Sequence, residues 1–147
     1  MLQEIIITLA NPTDREAVIK LLQAQNLPTQ DLPARLENFI IAKENGKVIG
    51  STGLEIYGKY ALLRSVAVDA TYQSSGIGKT LYKTALELVQ NKKVQELFLI
   101  TTTAAPFFKK LGFSQIKRTD APAAISATAQ FTTICASTGV VMHKKVK

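Results

Sequence analysis

The chain has 147 residues, of which 46% are hydrophobic and 20% charged, with a formal net charge of +7. That length suits one domain over 1–147 and buries about two thirds of the surface exposed by the unfolded chain, so no disulfide or metal staple is required. A single cysteine, Cys135, excludes an internal disulfide and favours a reducing, cytoplasmic setting. The opening run Met1–Leu9 carries Glu4 and a short apolar stretch, unlike a secretory signal. No stretch reaches the ~20 apolar residues that span a bilayer. The lysines are scattered apart from Lys92-Lys93, Lys109-Lys110 and the Lys144–Lys147 tail, and none of these runs interleaves with stacking aromatics. Neither nucleic acid nor a membrane is therefore an expected partner. The excess positive charge suits a solvated surface or a polyphosphorylated ligand.

In chain order, Ile5–Leu9 reads as a first strand, ended by Asn11-Pro12. Thr13-Asp-Arg-Glu16 has the form of a capping box ahead of a helix with Ala17, Val18, Leu21 and Leu22 on its apolar face. Leu27-Pro28 stops that helix, and residues 28–38 form a loop with a short helix or turn around Leu32–Leu36. A meander follows: Phe39–Lys43, a turn at Asn45-Gly46, Val48–Ile56, a turn at Tyr57-Gly58-Lys59, and Tyr60–Val68. Lys79–Asn91 is a helix with a stripe of Leu81, Ala85, Leu88 and Val89, and Leu97–Thr101 is a buried strand. Strand, helix and strand make a βαβ unit, hence a parallel pair with a right-handed crossover. Further elements are a short helix over Ala105–Leu111 ended by Gly112, a strand over Phe113–Arg118, a helix from Asp120-Ala-Pro122 to about Gln130, and a strand over Val140–His143. The expected class is mixed α/β: a mostly antiparallel sheet with one parallel βαβ pair and helices on both faces.

Gln73-Ser-Ser-Gly76-Ile-Gly78 lies between a strand and a helix. Glycines there permit positive φ, successive N–H groups form a nest, and the helix adds its positive end. That combination suits a pyrophosphate; a tight turn without a ligand is the alternative. The dinucleotide spacing fails because Leu81 stands where a third glycine belongs, and Gly76-Ile-Gly-Lys-Thr80 lacks the earlier glycine of a P-loop.

Leu63-Arg-Ser-Val-Ala-Val68 followed by Tyr72-Gln73-x-x-Gly76-x-Gly78 resembles the signature of the GNAT superfamily of N-acetyltransferases. A second block, Leu97-Phe-Leu-Ile-Thr-Thr-Thr-Ala104 with Phe107-Phe-Lys-Lys-Leu-Gly-Phe113, is also similar to that family. Within it, Glu55-Ile-Tyr-Gly58, Leu62-Leu-Arg-Ser65, Thr101–Ala105 and Ala121–Ile125 look most like the arsenic-resistance N-acetyltransferases. A Thr-Thr-x-x-Ala-x-x-Phe pattern resembles the acetyltransferase domain of acetylglutamate synthases. The resemblance implies a GNAT-like domain, acetyl-CoA as cosubstrate, no metal, and a small amino-acid-like amine as acceptor. It implies that Val66, Ala67 and Val68 line the pantetheine, with the Val68 N–H polarising the thioester carbonyl. Gln73, Ser74, Ser75, Gly76, Ile77, Gly78, Lys79 and Thr80 would hold the pyrophosphate, and Thr101 and Phe108 would border the cofactor. The acetyl group would lie where the Tyr60–Val68 and Leu97–Thr101 strands splay. Two positions depart from the family pattern. Phe108 stands where many members carry a tyrosine acid, and Thr101 replaces a frequent asparagine. A hydroxyl of Thr101–Thr103, water or the acceptor ammonium would then protonate the thiolate, with Thr102 and Thr103 near the acceptor.

Arg64 interrupts an apolar strand, and a buried arginine must be paired. It is either a fork for an acceptor carboxylate or one half of an ion pair with Glu55. Glu55 is correspondingly either the general base or a paired carboxylate. His143, the only histidine, reads as a strand-end residue, and Cys135 as a core or loop thiol, since one thiolate cannot hold a soft metalloid. The leading expectation is an N-acetyltransferase working by direct amine attack. The rival is a non-catalytic acyl-CoA-binding module, with protein or peptide N-termini as another acceptor class. A homodimer is left open.

Overall fold

The computed structural model describes residues 4–134 and 139–147, and Cys135 lies outside the residues whose side chains are described. Seven strands form one sheet in the order β1-β2-β3-β4-β5-β7-β6. These are β1 (Ile5–Leu9), β2 (Phe39–Glu44), β3 (Lys47–Tyr57), β4 (Tyr60–Val68), β5 (Glu96–Thr101), β6 (Ser114–Gln115) and β7 (Val140–Lys145). The helices are α1 (Arg15–Ala24), α2 (Ile77–Asn91), α3 (Ala105–Lys110) and α4 (Ala123–Ser126), with a π-helical turn at Gln130–Ile134. The β1–β2, β2–β3, β5–β7 and β6–β7 pairs are antiparallel, and β4–β5 is parallel. This is the expected class, and the parallel pair falls where the βαβ pattern put it.

The Cα packing divides the chain into two compact units, Met1–Leu54 with Ser65–Leu88 and Glu55–Arg64 with Val89–Lys147. In the first, side-chain alternation along β2 sends Phe39 and Ile41 one way and Ile40 and Ala42 the other. Val18, Leu21 and Leu22 of α1 pack with Phe39, Ile41, Val48 and Ala67. On the opposite face α2 comes so close that a Cβ built on Gly50 would meet Leu81 Cδ1 at 2.9 Å and Ile77 Cγ2 at 3.2 Å. Helices thus cover both faces of this part of the sheet. In the second unit Leu62, Phe98, Ile125, Phe131 and Val141 make the core.

Several boundaries differ from the sequence reading. The capping box is not Thr13–Glu16: the Asn11 N–H donates to Asp14 Oδ2 at 2.8 Å, because a 3-10 turn over Pro12–Asp14 starts the helical stretch early. Residues 28–38, by contrast, hold turns, one of the two forms expected there, with Leu36 (φ 52) and Asn38 (φ 59) left-handed. The helix after the glycine-rich turn begins at Ile77 instead of Lys79. The strand expected over Phe113–Arg118 shrinks to Ser114–Gln115, followed by a 3-10 turn at Arg118–Asp120. The helix expected from Asp120 to Gln130 breaks into α4 and the separate π-turn. There Thr128 Oγ1 donates to the Ile125 carbonyl (2.7 Å) and Thr132 Oγ1 to the Thr128 carbonyl (3.0 Å). Hydroxyls that bond back onto nearby carbonyls compete with regular helix pairing.

Candidate functional site

β4 is not a regular strand. Ser65, in its middle, is left-handed (φ 54), and its carbonyl accepts a 2.7 Å hydrogen bond from the buried Ser51 hydroxyl on β3. The Asp69 N–H then returns to the Ile49 carbonyl at 2.8 Å. The parallel ladder with β5 covers Tyr60–Leu62 against Glu96–Phe98, although β4 runs on to Val68 and β5 to Thr101. Val66 and Val68 are half-buried, whereas the Ala67 side chain is buried in the α1 core. Any contact of Ala67 with a ligand in the expected place is therefore through its backbone.

Past Val68 the chain is braced at each step. Asp69 Oδ1 accepts the Thr71 N–H at 3.0 Å. The Tyr72 hydroxyl donates to Glu44 Oε1, a bond that holds this phenol above its usual pKa. Gln73 Nε2 donates to the Val68 carbonyl (3.0 Å) and to Gln25 Oε1 (3.1 Å), so this residue shapes the turn from behind with its side chain. The Ser75 hydroxyl donates to the Tyr72 carbonyl. Ser74 (φ 70) and Gly76 (φ 88) are left-handed, and a Cβ built on Gly76 would meet nothing within 4 Å. Open space in front of a glycine at the mouth of a helix is room for a ligand against backbone.

The 15-residue α2 begins at Ile77, whose buried side chain anchors it. The N–H groups of Ile77, Gly78 and Lys79 have no carbonyl one turn back within the helix. Thr80 N–H closes the first turn on the Gly76 carbonyl at 3.0 Å, and the Thr80 hydroxyl donates to the same carbonyl at 3.0 Å. Thr80 thus spends its hydroxyl proton on the helix itself. Ser74, Ser75, Gly76, Lys79 and Thr80 are exposed. Left-handed turn residues, free N–H ends and the dipole of a long helix together suit an anion such as a pyrophosphate.

In the second unit, Arg64 Nη1 donates to Glu55 Oε2 at 2.7 Å, and the Arg64 side chain is only 1% exposed. Tyr57 Oη donates to the other carboxylate oxygen at 2.5 Å. Both Glu55 oxygens are thus occupied, and the arrangement is the ion pair that the sequence offered as one of two readings. Thr101 Oγ1 accepts the Ala104 N–H at 2.9 Å and caps the approach to α3, whereas Thr102 and Thr103 are exposed. Phe108 is buried between Phe107 and Phe113, edge-on to both. His143 Nδ1 lies 2.5 Å from Glu96 Oε2 and its ring stacks on Phe98, inside β7 instead of at the expected strand end. Among the described residues no group of three or more His, Cys, Asp or Glu side chains could hold a metal. No helix among them is long and apolar enough to cross a membrane.

Ser51, Gln25 and Glu44, which brace β4 and the turn, are not marked by any motif. A serine inside the apolar run of β3 is the single visible sign, and nothing in sequence ties Gln25 or Glu44 to residues so far along the chain.

An acetyltransferase (GNAT) domain model matches residues 35–115, over half of the chain. An uncharacterised N-acetyltransferase of Chlorobaculum tepidum is 30% identical over 90 residues, 60% of this chain and 57% of that protein. An amino-acid acetyltransferase of Haemophilus ducreyi is 30% identical over 95 residues, 63% of this chain and 22% of that protein. The chain thus spans little more than half of the first relative and about a fifth of the second. N-acetylglutamate synthase from Neisseria gonorrhoeae, solved with coenzyme A and N-acetyl-glutamate, superposes with a TM-score of 0.83 at 17% identity, over 100% of this chain and 36% of that one. That likeness shows a shared fold. By the family model that spans β2 to β6 and the glycine-rich turn, the chain belongs to the acetyltransferase (GNAT) domain family.

Proposed function

We propose that this protein is an acetyl-CoA-dependent N-acetyltransferase, a single domain over 1–147, that acetylates the amine of a small, amino-acid-like acceptor in a ternary complex. The observation that carries the reading is the turn at Ser74–Gly76 opening onto the N-terminus of α2, with clear space before Gly76. The turn suits coenzyme A: backbone N–H groups from Gly76 to Lys79 would hold the pyrophosphate, and the exposed Lys79 would add positive charge. Val66–Val68 supply backbone groups to the pantetheine.

When bound, acetyl-CoA supplies the acetyl group as an activated thioester. The Val68 N–H would donate to the thioester oxygen, where negative charge grows as the amine attacks; the C–S bond then breaks and the departing thiolate takes up the proton the amine loses. Holding both reactants in line supplies most of the remaining acceleration. The attacking amine must be neutral. Glu55 reaches that task only if it exchanges its bonds to Arg64 and Tyr57 for a path to the amine, so water relayed by Thr102 or Thr103 is the alternative base. The amino-acid character of the acceptor rests on the matched amino-acid acetyltransferase and on the Thr101–Ala105 run. An arsenic-linked role, motivated by the subfamily likeness, would show as acetylation of an arsenic-bearing amino acid in the same assay.

Calorimetric titration with acetyl-CoA, joined to a thiol-release assay over a panel of amines, tests the proposal. Binding with turnover on amino acids supports it, and no acetyl-CoA binding sinks it. Gly76→Glu, which sets a carboxylate in the space before the helix, is expected to abolish binding. The second reading, a non-catalytic acyl-CoA-binding module, is favoured by Phe108, which is buried and has no proton to give. Tight binding without turnover on any amine would select it.

A further inference from the structure

Ser65 holds a left-handed conformation (φ 54) in the middle of β4. For a residue with a Cβ that conformation is costly, by an amount comparable to the net worth of one or two hydrogen bonds. It persists only where the surroundings impose it. Ser51, fully buried on β3, donates its hydroxyl to the Ser65 carbonyl at 2.7 Å. Loss of that donor removes a buried hydrogen bond to the Ser65 carbonyl, a penalty comparable to the cost of the left-handed backbone.

The consequence lies downstream. A left-handed residue inside a strand acts as a bulge and resets the alternation of every residue after it. Beyond Ser65, Ala67 packs in the α1 core and Asp69 N–H returns to Ile49, while Gln73 grips the Val68 carbonyl. The segment Val66–Val68 is thus pinned at its far end by Gln73 and at its near end by Ser51. A straightened Ser65 would rotate the backbone groups of Val66–Val68 away from their present directions.

We propose that Ser51 is a positioning residue: its hydroxyl holds the left-handed kink at Ser65 and so aims the Val66–Val68 backbone, including the Val68 N–H, at the thioester. This rests on the acetyltransferase reading above. Ser51 touches no substrate; it acts through Ser65. Because glycine adopts positive φ at no steric cost, Ser65→Gly keeps the kink without the hydroxyl. A merely structural role for Ser51 would give the opposite result, since glycine ordinarily weakens a strand.

The experiment compares wild type, Ser51→Ala, Ser65→Gly and the double variant. It reads kcat and KM for acetyl-CoA together with amide hydrogen exchange at Val66–Val68. Ser51→Ala is expected to lower kcat/KM for acetyl-CoA about tenfold, the equivalent of one lost hydrogen bond. Exchange at Val66–Val68 should quicken with it. The double variant should recover to within about twofold of Ser65→Gly alone on both readouts. Unchanged kinetics and exchange in Ser51→Ala overturn the proposal, as does a double variant no better than Ser51→Ala. Should wild type bind no acetyl-CoA, the acetyltransferase reading fails by itself, and the exchange rates alone then decide the role of Ser51 in the kink: recovery with glycine upholds it and no recovery overturns it.

Discussion

Thr52, one residue beyond Ser51, is 1% exposed, and its hydroxyl oxygen has no hydrogen-bond partner among the described residues. It lies two residues beyond Gly50, whose face meets α2, and pairs with Ile40 across β2–β3. Thr52→Val keeps the shape and removes a buried unsatisfied group, so thermal melts should show a gain of about 1 kcal/mol. Asp14 is the opposite case. Burial by itself would raise its pKa, but the Lys43 hydrogen bond (2.8 Å), the Asn11 N–H and the Lys43 charge outweigh it and hold the carboxyl below its ordinary range. A carboxylate depressed on folding contributes stability that is present above the unfolded value and lost as pH falls through the folded one. Below about pH 4, stability should therefore decline less in Asp14→Asn than in wild type, as urea melts against pH will show. Arg64 belongs here too. Removing one partner of a largely buried pair leaves the other uncompensated, so Arg64→Ala should cost about 3 kcal/mol in a denaturant melt. Unchanged stability with a raised acceptor KM would instead make Arg64 a carboxylate fork.

At the scale of elements, the strands and long helices are legible in the sequence because period and punctuation agree. β2, β3 and β4 lie within a residue or two of their expected ends, with turns at Asn45-Gly46 and Gly58 as the residues indicate. The misreadings have local causes. Gly78 reads as turn in the sequence, yet sits in the first turn of α2, where the dipole and Ile77 burial outweigh its poor helix propensity. The Asp120–Gln130 pattern fails because Ser126, Thr128 and Thr132 direct hydroxyls at nearby carbonyls. Close packing between strands is likewise invisible in the sequence. A Cβ on Gly53 would meet the Phe39 ring at 2.5 to 2.9 Å, opposite it across β2–β3. Gly53→Ala must displace a fully buried ring and is expected to destabilise by about 1–3 kcal/mol in a chemical melt.

For the whole molecule, a cosubstrate that binds only the folded chain stabilises it by mass action. At about 100 times its Kd, coenzyme A should add about 2.7 kcal/mol, which for a chain of this length raises Tm by roughly 5–10 °C. Differential scanning fluorimetry with and without the ligand measures it, and Gly76→Glu should show no shift. The glycine-rich turn is readable from the amino-acid sequence because it depends on chemistry local to one stretch of chain: glycines, a strand end and a helix start within a dozen residues. The same locality sets the left-handed Ser74 and Gly76 just ahead of α2, and the apolar periodicities of β2–β5 and α2 are enough to specify a mixed sheet with a parallel pair. What the tertiary structure alone decided is long-range: that Arg64 is bonded to Glu55, that Gln25 and Glu44 brace the turn, and that Ser51 meets the Ser65 carbonyl. These depend on which side chains the strand register and helix packing bring within hydrogen-bond reach, and a pattern along the chain carries no record of distances across it.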